Sequence, residues 1–156
     1  MTTKPFGQKG LQNMRVLLDT NVILDVLCAR EPFLADASKV WKLCEVEKLD
    51  GHLSALSIPN IVYILRKELD PVKTKQVIDQ LSLLFSIEDL KAEDLKKAAA
   101  MQPRDYEDAL QMVCASRIKA DFIVTRNIKD FLISKVPAVA GKALTKFRVT
   151  GWIILV

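Results

Sequence analysis

The chain has 156 residues, of which half are apolar, 6% aromatic and 27% charged. These values indicate one globular domain with a buried core and exclude a disordered chain. No apolar run reaches the roughly 20 residues of a membrane-spanning helix, and residues 1–13 lack the apolar segment of a signal peptide. We therefore expect a cytoplasmic protein. The net charge of +4 permits an anionic partner such as a nucleic acid without requiring one.

Hydrophobic spacing divides the chain into alternating strands and helices. Short apolar runs predict strands, and apolar residues that recur every three or four positions predict helices. The predicted strands are residues 15–18, 52–57, 83–87, 121–124 and a short one at 136–140. The predicted helices are residues 22–28, 33–44, one beginning at Ser57, one beginning at Pro71, 92–101 and 106–117. This alternation predicts an α/β fold with a parallel sheet covered on both faces.

Individual residues predict where some of these elements begin and end. Gly51 is expected to stop the second helix, and Ser57 to cap the third helix, with Pro59 in its first turn. Asp70 is expected to cap the helix that begins at Pro71 in the same manner. The three cysteines form no CxxC pair and lie among apolar residues, which predicts reduced, buried thiols at Cys28, Cys44 and Cys114. The single histidine, His52, argues against a zinc site.

Polar side chains follow the predicted strands, at the sheet edge where α/β proteins bind ligands. They are Asp19 and Asn21 after the first strand, Ser57 and Asn60 after the second, and Thr125, Asn127 and Asp130 after the fourth. Three further acids, Asp105, Glu107 and Asp108, open the long helix before the fourth strand. Because parallel strands end at one edge of a sheet, we expect these side chains to converge.

Most of these acids also have a purely structural explanation. Asp19 is a good N-cap residue, Asp130 is suited to cap a turn, and Asp105 and Glu107 are favourable near the positive end of a helix dipole. Asp108 is harder to explain in this way, because the two residues after it are predicted to be packed. An acid at the edge of a buried face is costly unless it is paired or bound to a cation.

Clustered carboxylates repel one another unless a cation lies among them. No lysine or arginine is clearly placed within this set, and oxygen ligands suit Mg²⁺ or Mn²⁺. Such an ion can lower the pKa of bound water and stabilise the charge of a phosphodiester transition state. The residues by themselves therefore predict a metal-dependent site for phosphoryl transfer.

Three stretches of the chain resemble the PIN domain family, the fold of VapC-type toxin ribonucleases. They are VLLDTNVILDVL (16–27), SALSIPNIVYILRK (54–67) and DYEDALQMVCASRIKADFIVTRNIKDF (105–131). The resemblance covers residues 14–140, and its first and last motifs are the more specific. It implies a three-layer α/β/α sandwich around a parallel sheet of four to five strands. It also implies a homodimer, Mg²⁺- or Mn²⁺-dependent RNA cleavage, and, for toxin-type members, inhibition by a cognate antitoxin protein.

The resemblance implies roles for individual residues. Asp19 corresponds to the family's first acid, Asp108 to the acid of the later helix, and Asn127 or Asp130 to the final acidic position. Asp19, Asp108 and Asp130 are therefore expected to hold the metal ion. Thr125 and Asn127 are expected to orient water, metal or phosphate.

One family position departs from the pattern. The second family acid, a Glu early in the helix after the second strand, falls on or near Asn60. An asparagine cannot balance metal charge or act as a base, so we expect weaker metal binding than in a member with four carboxylates. Asp105 or Glu107 could compensate. Asn21 corresponds to the amide of the family's DTN motif.

Other functions remain open at this stage. A PIN-like module that binds RNA or a protein partner without cleavage is favoured by Asn60. A phosphatase or phosphotransferase with Asp19 as nucleophile would need a second acid where the chain has Asn21. A structural or interaction protein would use the acids only as caps. Arg126 and Arg104 are candidates for contacts with the RNA backbone, or are ordinary surface charges.

The sequence also predicts how the chain is organised around this domain. Residues 1–13 form a polar N-terminal extension, and residues 14–140 form the nuclease domain. Residues 141–156 form a C-terminal tail that is interpreted as an edge strand, a dimer contact or a segment that is disordered alone. Its last five residues, WIILV, are apolar, so we expect them to be covered.

Overall fold

The computed structural model describes residues 13–145, and in that range five parallel strands form one sheet. The strands are β1 (Met14–Leu18), β2 (Leu49–Ser54), β3 (Ser86–Glu88), β4 (Phe122–Val124) and β5 (Ala138–Val139). Their order across the sheet is β3-β2-β1-β4-β5. All four neighbouring pairs are parallel. The predicted α/β fold is confirmed.

Helices connect the strands in sequence. They are α1 (Thr20–Leu27), α2 (Leu34–Glu45), α3 (Ser57–Leu65), α4 (Pro71–Leu84), α5 (Ala92–Ala100), α6 (Tyr106–Arg117) and α7 (Gly141–Thr145). A 3₁₀ turn at Ile128–Phe131 lies between β4 and β5. Within the described residues, no helix is long and apolar enough to cross a membrane.

The central strand β1 is apolar on both faces, and this produces a three-layer sandwich. Val16 and Leu18 pack into a core shared with α1 to α4 and α7, whereas Leu17 packs into a second core with α6 and β4. All three side chains are fully buried. Side chains alternate between the two faces of a strand, so an unbroken apolar run is typical of a strand covered on both sides.

The structure corrects several predicted boundaries. Gly51 does not end α2, which finishes at Glu45, but lies inside β2. A Cβ atom at Gly51 would lie 2.7 Å from the Sγ of Cys44, so the glycine permits close packing of strand and helix. Ser57 is the first residue of α3 and not its cap, a position that Leu56 takes. The strand predicted at 83–87 is shifted to Ser86–Glu88, because α4 continues to Leu84.

Other local predictions have mixed outcomes. The Asp70 carboxylate caps α4 by accepting a hydrogen bond of 2.8 Å from the backbone N–H of Lys73, as expected. Cys44 and Cys114 are buried, but the prediction for Cys28 was wrong. It is exposed because α1 ends at Leu27, leaving the cysteine beyond the last turn.

The C-terminal segment begins as a helix. Leu144 of α7 is fully buried in the larger core. Residues 146–156, which include WIILV, lie outside the described residues, as do residues 1–12. The interpretation of the tail as an edge strand or a dimer contact therefore stays a prediction.

Candidate active site

Two neighbouring strands bring Asp19 and Thr125 together. Leu18 at the end of β1 pairs with Val124 at the end of β4, so the residues that follow are adjacent. The hydroxyl of Thr125 donates a hydrogen bond of 2.9 Å to Oδ2 of Asp19. Both side chains are buried, and Asp19 is only 5% exposed. The predicted convergence at this edge of the sheet is therefore observed for these two strands.

The carboxylate of Asp19 is buried at the start of α1. Asp19 occupies the N-cap position of α1, but its side chain makes no capping hydrogen bond. Burial raises its pKa, while the hydrogen bond from Thr125, the nearby backbone N–H groups of Asn21 and Thr20, and the positive charge of Arg126 act in the opposite direction. The start of α1 and the hydroxyl of Thr125 thus both act on the buried carboxylate of Asp19.

Asp105 is used as a cap, and it determines how α6 begins. Its Oδ1 accepts hydrogen bonds from the backbone N–H groups of Glu107, at 2.8 Å, and Asp108, at 3.1 Å. The structural explanation for Asp105 is therefore correct. This cap holds the first turn of α6, which carries two further acids, at the edge of the site.

Asp108 lies where negative charges from several elements meet. Its side chain is partly exposed, and its pKa is raised to about 7, first by burial. The negative charges of Asp105, Asp19, Asp130 and Glu107 raise it further. Acids from three separate stretches of the chain are thus close enough to repel Asp108. This excess of negative charge favours a cation at the same place.

Asn60 faces the first turn of α6 and binds Glu107. Its Nδ2 donates a hydrogen bond to Oε1 of Glu107. Partial burial and the charges of Asp105 and Asp19 raise the pKa of Glu107, and the bond from Asn60 lowers it. The sequence suggested Glu107 as an acid favoured by the helix dipole and as a possible compensation for Asn60. Its contact with Asn60, 47 positions away, could not be read from the sequence.

The loop after β4 supplies the remaining polar residues. The backbone N–H of Asn127 donates to the Thr125 hydroxyl at 3.0 Å, so this hydroxyl is held while it donates to Asp19. Asn127 and Asp130 are exposed. The negative charge of Asp130 contributes to the raised pKa of Asp108. Asn21 is partly buried in the first turn of α1.

Arg126 lies beside the acids and is held by two contacts. Its guanidinium lies over the ring of Phe33, 4.0 Å from the ring centroid, and its Nε is 3.1 Å from Oδ2 of Asp25. Asp25 is 1% exposed and also faces Arg30 at 3.9 Å. Sequence reasoning missed Asp25, although an acid within an apolar helix was a usable signal. Arg104 is exposed.

The acids have the ligand chemistry of a hard divalent cation, but they are not grouped as a finished metal site. In residues 13–145, no three Asp, Glu, His or Cys side chains are close enough together to hold a metal ion. Carboxylate oxygens suit Mg²⁺ or Mn²⁺, and their mutual repulsion at Asp108 is the condition that a bound cation would relieve. The donor set therefore fits such an ion in chemistry and charge. The side chains would have to turn toward one another to bind it.

Comparison with known proteins identifies the same region of the chain. A family model described as PIN domain matches residues 15–129, which include all the acids described above except Asp130. A search of curated proteins finds no match.

Several solved structures share the fold. FitAcB from Neisseria gonorrhoeae is 20% identical, with a TM-score of 0.58 over 81% of this chain and 98% of that one. A toxin–antitoxin complex from Klebsiella pneumoniae is 19% identical, with a TM-score of 0.59 over 81% and 97%. VapBC-1 from nontypeable Haemophilus influenzae is 14% identical, with a TM-score of 0.63 over 83% and 99%. At these identities the likeness establishes the fold.

Proposed function

The chain belongs to the PIN domain family, and from this membership we propose that it is a metal-dependent endoribonuclease acting as the toxin of a toxin–antitoxin pair. The observation that supports the proposal most directly is the convergence of acids from three stretches of the chain, whose charges add to burial in raising the pKa of Asp108 to about 7. A nuclease that uses a divalent cation needs such an excess of carboxylates at one place.

Asp19, Asp108 and Asp130 are the proposed ligands of Mg²⁺ or Mn²⁺. When bound, the ion would activate water and neutralise charge on the scissile phosphate. Asp19 is already oriented for this role, because Thr125 donates to one of its oxygens and leaves the other free of that bond. Asp108 and Asp130 are more exposed and are the side chains that would move.

Glu107 is proposed to replace the carboxylate that Asn60 lacks. Asn60 holds Oε1 of Glu107, and the raised pKa of this exposed acid suits it to accept a proton from the attacking water. Asn60 itself can only donate or accept a neutral hydrogen bond. The pair thus keeps a carboxylate at the site but supplies it from α6 and not from α3.

Thr125, Asn127 and Arg126 are proposed to position the reacting groups. Thr125 orients Asp19, and the backbone of Asn127 orients Thr125. The exposed amide of Asn127 is available to water or phosphate. Arg126 provides a positive charge at the rim, on a guanidinium that Phe33 and Asp25 hold in place. RNA is the proposed substrate.

The proposed partners are an antitoxin protein and a second copy of this chain. The structures with the same fold include one described as a toxin–antitoxin complex, which supports an antitoxin as partner. If the protein is a toxin, its expression alone should slow bacterial growth, and Asp19→Asn should remove the effect. Co-expression of the product of the adjacent gene should restore growth if that product is the antitoxin.

A second candidate is a module that binds RNA without cutting it. Asn60 in place of an acid favours this reading, as does the lack of a preformed three-residue metal group in the described part of the chain. Metal-independent RNA binding without cleavage would support this candidate against the first.

Titration of Mn²⁺ separates these candidates. Calorimetry and thermal shift are measured on metal-free wild type and Asp108→Asn, and cleavage of mixed RNA is measured with the ion present. The matched control is Asp79→Asn, because Asp79 is an exposed acid that pairs with Lys75 on α4. We expect wild type and the control to bind Mn²⁺ and cut RNA, and Asp108→Asn to do neither. Cleavage by Asp108→Asn at the wild-type rate would refute the site.

A further inference from the structure

Three buried polar side chains from three helices bind one another behind the acids. The hydroxyls of Thr20 in α1 and Ser57 in α3 are 2.7 Å apart and hydrogen-bonded. Nε2 of Gln111 in α6 donates to Thr20 at 3.2 Å and to Ser57 at 3.1 Å. Their exposed fractions are 7%, 0% and 1%. We call these three residues the polar triad.

Each member of the polar triad is next to a residue of the proposed site. Thr20 directly follows Asp19 in the chain. Gln111 lies three positions after Asp108 on α6, and Ser57 lies three positions before Asn60 on α3. Residues three apart lie on the same face of a helix. The hydrogen bonds of the polar triad therefore join the first residues of α1 and α3 to α6, one turn beyond Asp108.

Stability alone does not account for the polar triad. Burying polar groups is unfavourable unless every donor and acceptor is paired. Within the described residues, Oε1 of Gln111 is buried and has no hydrogen-bond partner. An apolar side chain at position 111 would remove this unpaired oxygen. A network that is incompletely paired, yet lies behind the acids, is better explained by the geometry that it imposes on them.

We propose that Gln111, Thr20 and Ser57 are positioning residues that set the spacing between the first turns of α1, α3 and α6. They touch no substrate, and they act by fixing the backbone positions from which Asp19, Asp108 and Glu107 can turn toward one cation. This inference rests on the proposed nuclease function for its catalytic consequence. The spacing itself can be measured without metal or RNA.

The test compares variants that remove the hydrogen bonds with variants that keep them. Gln111→Leu and Thr20→Val remove donors or acceptors at nearly constant volume, and Thr20→Ser keeps the hydroxyl. Met112→Ala is the matched control, because Met112 is buried at the next position of α6 and packs in the core that contains Leu17. It lowers stability without touching the polar triad.

Two readouts distinguish positioning from stability. We expect Gln111→Leu and Thr20→Val to weaken Mn²⁺ binding and to lower kcat by about 10- to 100-fold, the usual effect of losing a group that orients metal ligands. KM for RNA should change little. Thr20→Ser and Met112→Ala should keep wild-type Mn²⁺ affinity, although Met112→Ala melts at a lower temperature. Equal Mn²⁺ affinity and kcat in Gln111→Leu and wild type would overturn the proposal.

Amide hydrogen exchange in the metal-free protein gives an answer that does not depend on the nuclease function. Gln111→Leu should exchange faster than wild type at the first turns of α3 and α6, and Met112→Ala should not show this local increase. If wild type neither binds Mn²⁺ nor cuts RNA, the nuclease function fails, and the exchange data still decide whether the polar triad holds these turns. Unchanged exchange in Gln111→Leu would refute it.

Discussion

The charge of Asp108 should make the metal-free protein less stable as the pH rises. Its pKa is about 7 in the folded protein, against an ordinary value of 3.8. A carboxyl group with a raised pKa prefers its protonated form in the folded state. Its ionisation therefore destabilises the fold from about pH 4 upward, and the effect is complete above about pH 7. Asp108→Asn removes the ionisable group and should remove this part of the pH dependence.

The size of the effect follows from the shift in pKa. At about 1.4 kcal/mol per pKa unit, a change from 3.8 to about 7 corresponds to roughly 4 kcal/mol. Asp108 is partly exposed, and solvent screens its interactions with the neighbouring acids. After discounting for this screening, we expect the variant to gain about 1–2 kcal/mol over wild type at pH 8. At pH 4 the two proteins should differ little.

Urea unfolding at pH 4, 6 and 8 in the presence of EDTA measures this difference. Asp79→Asn is the control, because Asp79 is an exposed acid on α4 that pairs with Lys75. Adding Mn²⁺ at pH 8 should reverse the order, since wild type gains stability from the bound ion and Asp108→Asn does not. An Asn variant that is no more stable than wild type at pH 8 without metal would refute the raised pKa of Asp108 on which this prediction depends.

Three further substitutions test other contacts. Glu107→Gln should lower kcat by about 10²-fold or more in a cleavage assay if Glu107 accepts the proton. Adding Asn60→Glu, which returns a carboxylate to α3, should recover part of this loss. An unchanged kcat in the single variant would show that Glu107 takes no part in the reaction. Thr125→Val should destabilise the protein by about 1–3 kcal/mol at pH 8, because the buried Asp19 loses the hydrogen bond that Thr125 donates. Urea unfolding measures the change in stability, and an unchanged unfolding midpoint would contradict the prediction. Gly51→Ala should lower the free energy of unfolding by about 1–3 kcal/mol, because the added carbon would lie 2.7 Å from the buried Sγ of Cys44. A melting temperature equal to that of wild type would show that the neighbouring side chains move aside without loss of stability.

The sequence by itself determined those features that depend on neighbouring residues. The unbroken apolar run from Val16 to Leu18 predicted a strand buried on both faces, and the cores on either side of β1 confirm it. The Asp70 cap was predicted because a cap and the N–H that it binds are three positions apart. Asp19 was placed at a strand end from its position alone.

Predictions were wrong where packing between distant segments overrides a local signal. Gly51 reads as a helix stop in the sequence, but it lies in β2, where Cys44 and Phe85 leave no room for a Cβ atom. Ser57 reads as a cap, yet its hydroxyl is buried against Thr20. Neither contact is visible from residues nearby in the chain.

Only the tertiary structure decided how the polar residues act together. The sheet order places β1 beside β4, which brings Asp19 to Thr125 across 106 positions. The fold brings the first turns of α3 and α6 close enough for Asn60 to bind Glu107. The pKa of Asp108 is raised first by its burial and then by acids from separate elements. Distances in space set hydrogen bonds and charge repulsion, and spacing along the chain does not determine those distances for residues in different elements.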